Sequence, residues 1–203
     1  MKRDDLRRLF ARARKLSGES DFVVLGSLAA LGYAGRLPPR MAMSVDVDAF
    51  GKSDPARSFD LARDLGQGSP FEIEHGYYFD PTSPRVATLP HGWEQRLVRI
   101  ELEPGLAAWF LEPNDAAVSK YARMEPRYRE WIRAGLKGGI LSLPIIEARF
   151  KQTAFLDSAE SARARQALDQ DRGWLRAGRP GKHVKRGTAP GAGRAPDRGT
   201  YRN

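Results

Sequence analysis

The sequence predicts an α+β fold: a mixed sheet flanked by helices over residues 1–111, a helical part over 112–177, and a disordered basic tail over 178–203. Three observations carry this. Short β-branched or aromatic runs separated by Gly- and Pro-bearing turns fill the first half. Helical spacing of apolar residues takes over from Pro113. The end of the chain combines glycine, proline and basic residues with almost no large apolar side chains, so it cannot bury enough surface to offset the entropy of ordering it.

Taken in order, Leu6, Leu9, Phe10, Ala13 and Leu16 recur at helical spacing between arginines, which predicts an amphipathic helix stopped at Gly18. Residues 22–25 (Phe-Val-Val-Leu) form a strand that turns at Gly26-Ser27 into the helix-prone 28–31. After a Gly- and Pro-bearing loop, residues 41–47 alternate as a strand. This strand puts Asp46 and Asp48 on one face and Val45 and Val47 on the other. A helix is predicted over 55–65, then short strands over 71–74, 77–79, 86–88, 96–102 and 107–111. Asn114 or Asp115 caps the next helix, a second holds Trp131, Ile132 and Leu136, and two more cover about 143–155 and 158–177.

Composition bounds the function classes. A chain of 203 residues suits one well-buried core with appendages. The absence of cysteine excludes a disulfide, a cysteine-zinc site and a thiol nucleophile. The charged first residues and apolar runs far short of the roughly 20 residues needed to span a bilayer lead us to expect a soluble, cytoplasmic protein with no membrane partner. The net charge of +9 favours acidic partners such as nucleic acid or nucleotides. Much of it sits in the tail, where seven basic residues (Arg179, Lys182, Lys185, Arg186, Arg194, Arg198, Arg202) face Asp197 alone. That segment is either a nucleic-acid-contacting arm or a solubilising extension. His75, His91 and His183 lack metal-ligand spacing, and the four tryptophans read as packing residues.

The chemistry rests on Gly26-Ser27 followed by Asp46-Val47-Asp48. A glycine at a strand-to-helix turn lets backbone approach a phosphate, and Ser27 adds a hydroxyl donor. Two aspartates at i and i+2 on a strand project in parallel, so together they can grip Mg²⁺ or Mn²⁺ through oxygen while leaving positions open for phosphate.

Three stretches, residues 24–30, 44–48 and 115–120, resemble the nucleotidyltransferase superfamily of the DNA polymerase beta type. Within it, they resemble the bacterial branch that includes the abortive-infection nucleotidyltransferase toxins of toxin–antitoxin systems. The resemblance spans roughly residues 20–137. It implies transfer of a nucleoside monophosphate from an NTP to an acceptor hydroxyl such as an RNA (tRNA) 3′ end, with an antitoxin protein as a possible partner. It also implies that Lys120 approaches the nucleotide phosphates. A third, strand-borne carboxylate would deprotonate the acceptor; Glu101 is the first choice, with Glu72 and Glu74 as competitors. One departure stands out. Where the branch carries a further aspartate this chain has Tyr128, for which Glu125 or Glu130 could substitute. The alternative is a degenerate domain that binds RNA or a protein.

Overall fold

The computed structural model describes residues 1–33, 36–85 and 87–178; the predicted basic tail, beyond Gly178, lies outside them, as does Val86. The architecture is α+β. Five strands form one mixed sheet: β1 (Asp21–Val24), β2 (Asp46–Gly51), β3 (Tyr78–Pro81), β4 (Val98–Glu103) and β5 (Leu106–Phe110), in the order β3-β2-β1-β5-β4. β1 is antiparallel to β2 and parallel to β5, β2 is parallel to β3, and β4 is antiparallel to β5.

Strand alternation divides the sheet into two packed faces. Phe22, Val24, Val47, Ala49, Phe79, Leu106, Ala108 and Phe110 point to one face, where Leu6, Leu9, Phe10 and Ala13 of α1 (Arg3–Ser17) cover them. Phe10 stacks on Phe22 at 4.6 Å, and Phe79 meets both rings edge-on. Such pairs each add about 0.5–1.5 kcal/mol to the area they bury. α1 ends as expected at Gly18, whose left-handed backbone donates to Arg14 O at 2.8 Å. α2 (Ala62–Leu65) and α3 (Pro70–His75) lie on the same side, contributing Leu65 and Phe71.

The other face carries Val23, Leu25, Phe50 and Leu111 under α4 (Pro113–Arg123), α5 (Pro126–Lys137), α6 (Leu143–Phe150) and α7 (Ser158–Ala177). α4 sits at the centre of this layer, with Ala116, Ala117, Val118 and Tyr121 buried. Among the described residues no helix is long and apolar enough to cross a membrane.

Several elements differ from expectation. Residues 71–74 are helical, because Ser69 Oγ accepts from Glu72 N at 3.2 Å and Pro70 fits the first helical position. The segment after the Gly-Ser turn, Ser27–Gly32, is a six-residue 3-10 helix. β2 starts only at Asp46, since Pro39–Ala42 is another 3-10 turn. Thr88 lies outside any strand. The cap of α4 is neither Asn114 nor Asp115 but Glu112, whose carboxylate accepts from both of their backbone N–H groups at 3.0 and 3.1 Å.

Candidate active site

Alternation on β2 and β3 decides what faces α4 and α5. With Val47 and Phe79 buried against α1, their neighbours Asp46, Asp48, Tyr78 and Asp80 point the other way. The parallel register sets Asp48 opposite Asp80. Oxygens of Asp46, Asp48 and Asp80 all lie within 4.8 Å of one another. Ser44 Oγ donates to Asp46 Oδ1. The three carboxylates line a cleft of about 330 Å³ together with Gly26, Ser27, Lys120, Arg123, Arg127, Tyr128 and Trp131.

The Gly-Ser turn abuts these aspartates. Leu25 N donates to Asp48 O at 2.9 Å, continuing β1 past its last paired residue. Gly26 then takes φ of 58°, and a Cβ there would run into the Asp48 carboxylate. Glycine is required twice over, by conformation and by space.

The cations come from the helical layer. Lys120, buried on α4, donates from Nζ to Ser27 Oγ at 2.9 Å. Its ammonium lies 4.2 Å from the centre of the Tyr128 ring and 4.9 Å from that of Trp131. Trp131 Nε1 donates to Ser27 O at 3.1 Å, tying α5 to the turn. Arg123 Nη1 and Arg127 Nη2 donate to Tyr128 Oη at 3.4 and 3.2 Å.

The electrostatics are unrelieved on both sides. Burial, reinforced by Asp46 and Asp80, pushes the Asp48 carboxyl up from 3.8 to about 6. Asp80 is raised by burial and by Asp46. Burial also lowers Lys120 from 10.5 to about 8, against the pull of Asp48. Each shift marks a charge removed from water without full compensation.

The expected site residues therefore separate. Gly26, Ser27, Asp46, Asp48 and Lys120 converge. Glu101 does not: it is exposed on β4, beyond β1 and β5 from the aspartates, and its carboxylate accepts from Gly105 N at 3.4 Å. The carboxylate that the structure brings beside Asp46 and Asp48 is Asp80, because the sheet order puts β3, not β4, beside β2. Glu72 and Glu74 lie on α3; Glu72 accepts from Gly68 N and Glu74 neighbours His75. Glu125 and Glu130 do not join the aspartates either; they pair with Arg127 at 2.6 Å and Arg40 at 2.7 Å. Asp115 is fully buried between Arg96 at 2.7 Å and Arg149 at 3.2 Å.

Sequence reading missed Asp80 because Asp80-Pro81 resembles a turn. The period-2 pattern Tyr77-Tyr78-Phe79-Asp80 was the available signal, since it places Asp80 on the polar face. Trp131 and the gathering of cations around Tyr128 had no local signal.

A hard, all-oxygen donor set of three clustered carboxylates fits Mg²⁺ or Mn²⁺ and suits a thiophilic metal poorly. The family model described as nucleotidyltransferase of unknown function (DUF6036) matches residues 4–175. No curated protein and no solved structure matches the chain.

Proposed function

The chain belongs to the nucleotidyltransferase family whose model it matches, and on that premise we propose that the cleft moves a nucleoside monophosphate from an NTP to an acceptor hydroxyl, with an RNA 3′ end such as that of tRNA as the preferred acceptor. One observation carries this reading: Asp46, Asp48 and Asp80 converge beside the Gly26-Ser27 turn and Lys120.

Asp46 and Asp48, with Asp80 completing the set, would hold the divalent cation. When bound, that cation offsets the triphosphate charge and makes the attacking hydroxyl more acidic. The remaining chemistry belongs to the chain. Asp80 would take the proton of the acceptor hydroxyl, in the role expected of Glu101. The acceptor oxygen bonds to the α-phosphorus as the bond to the β-phosphate oxygen breaks, and pyrophosphate leaves. Ser27 and Lys120 bind the β- and γ-phosphate oxygens, with Lys120 offsetting charge that grows on the leaving group. The bare Gly26 lets the Asp48 carboxylate pack against the turn that would receive the phosphate.

Tyr128 in place of an aspartate does not strip the site of its third carboxylate, because Asp80 supplies it from β3. The active reading is therefore preferred to a binding-only domain. The test is incubation of the purified chain with each α-labelled NTP, Mg²⁺ and total RNA. Label should enter RNA, and the Asp46→Asn/Asp48→Asn variant should lose on the order of a thousandfold in rate or more while keeping its fold. Label in a protein band would move the acceptor to a protein side chain, as in a toxin that modifies a protein. Equal activity in the double variant would remove these residues from the mechanism, and no transfer by the wild type would favour the binding-only domain.

A further inference from the structure

Tyr128 gathers three of the four cations that line the cleft; the fourth, Arg40, pairs with Glu130. Tyr128 opens α5, is only 8 % exposed and lines the cleft. Its ring lies beneath the Lys120 ammonium and its hydroxyl accepts from both Arg123 and Arg127. The Arg127 guanidinium also lies over the same ring at 5.0 Å. Of the three cations only Arg127 has a carboxylate partner among the described residues, Glu125 at 2.6 Å. Lys120 and Arg123, with no carboxylate in salt-bridge contact among the described residues, are held close to each other and to Arg127, and these like charges repel. A ligand that brings several anionic oxygens at once removes that repulsion. A carboxylate at position 128 would pair with these cations and cancel part of their field. A phenol orients them and cancels nothing.

We propose that Tyr128 is the positioning residue of a polyphosphate cradle formed by Lys120, Arg123 and Arg127, and that its hydroxyl, through the two arginines, sets the affinity for the triphosphate tail and not the rate of the chemical step. The identity of the physiological ligand rests on the nucleotide-transfer reading above. The cradle itself is open to a test that needs no turnover.

Inorganic tripolyphosphate is titrated calorimetrically, in EDTA and at fixed salt, into the full chain and into its Tyr128→Phe and Tyr128→Leu variants, with thermal melts to verify folding. Tyr128→Phe keeps the ring under Lys120 but releases Arg123 and leaves Arg127 held by Glu125 alone, and should weaken binding about three- to tenfold. Tyr128→Leu, which also removes the ring, should weaken it further. Any contribution from the basic tail is common to all three proteins. In transfer assays the KM for NTP of Tyr128→Phe, in which the ring under Lys120 is kept, should rise in parallel, with kcat held within about twofold. Wild-type tripolyphosphate affinity in both variants overturns the proposal, as does a fall in kcat at unchanged KM. If Tyr128→Leu fails to fold, Tyr128→Phe alone decides. A wild type that transfers no nucleotide, but whose tripolyphosphate affinity follows residue 128, would retain the cradle and reject the transfer reading.

Discussion

Asp171 and Asp48 are both carboxylates taken out of water on the same side of the sheet, and they are treated in opposite ways. Asp171, on α7, is fully buried, and each of its oxygens has a partner: Arg133 at 2.8 Å and Arg129 at 3.4 Å on Oδ1, and Tyr121 Oη at 3.1 Å on Oδ2. Asp115 is likewise ion-paired, with Arg96 and Arg149, although only the Arg96 contact is a hydrogen bond. Asp48 faces Asp46 and Asp80 instead, with no arginine or lysine within 4 Å among the described residues. A buried charge matched by its neighbours holds helices together. One set among like charges is held at a cost in stability that a bound cation would offset, which distinguishes a site from a strut.

The contrast can be broken most forcefully at Asp171. Replacing it by Ala leaves Arg129, Arg133 and Tyr121 unmatched between α4, α5 and α7. Both arginines are partly exposed and can rehydrate, so the loss should fall near the low end for a broken buried pair, about 3 kcal/mol in urea denaturation. A loss below about 0.5 kcal/mol would show that the network holds nothing.

Gly26→Ala acts where turn and carboxylate touch. A left-handed backbone and a Cβ aimed at the Asp48 carboxylate should cost about 1–3 kcal/mol and displace that carboxylate. Transfer should then fall further than stability does. Wild-type turnover in this variant would mean that the turn and Asp48 need not meet.

Asp48→Asn should stabilise the fold. The folded-state carboxyl is raised from 3.8 to about 6, so the folded protein holds this proton more tightly than the unfolded chain. The resulting stabilisation is complete below about pH 4 and is lost as pH rises through 6. Asparagine escapes that loss. In metal-free buffer the variant should therefore gain on the wild type between pH 4 and 7, reaching about 1–2 kcal/mol, or a few degrees in Tm. A gap that does not change over this range would remove the burial of that charge, and its repulsion by Asp46 and Asp80, as the cause.

The smallest effect is expected at Glu101. Glu101→Gln, on the exposed edge strand, should stay within about 0.5 kcal/mol of the wild type and leave transfer unchanged. A large loss of transfer would return that glutamate to the mechanism.

The half of the site built from local pattern was readable in advance. Gly26-Ser27 sits at a strand end, and Asp46 and Asp48 share a face through the two-residue period of β2, so their convergence follows from spacing. Lys120 was reached through resemblance, because a lysine on a largely buried helix announces nothing by itself. Asp80 was not reached. β3 joins β2 as a parallel neighbour after an intervening helical segment, and such a pairing leaves no mark in either strand. The assignment of 71–74 as a strand failed for a different reason: Ser69-Pro70 with Glu72 offered a helix start that outweighed the β-like alternation of Phe71 and Ile73. Trp131 was read as a packing residue, which it is, but its second role as donor to Ser27 depends on a contact 104 residues away.

That separation also orders events during synthesis. The Gly-Ser turn and the first two aspartates leave the ribosome well before α4 and α5, and the turn is completed by Lys120 and Trp131, 93 and 104 residues downstream. At about 5–20 residues per second, the turn waits roughly 5–20 s for its lysine. A nascent chain cannot present a finished cleft until α5 has been made. An arrested or truncated product that ends before Trp131 would carry the carboxylates without the side chains that complete the turn.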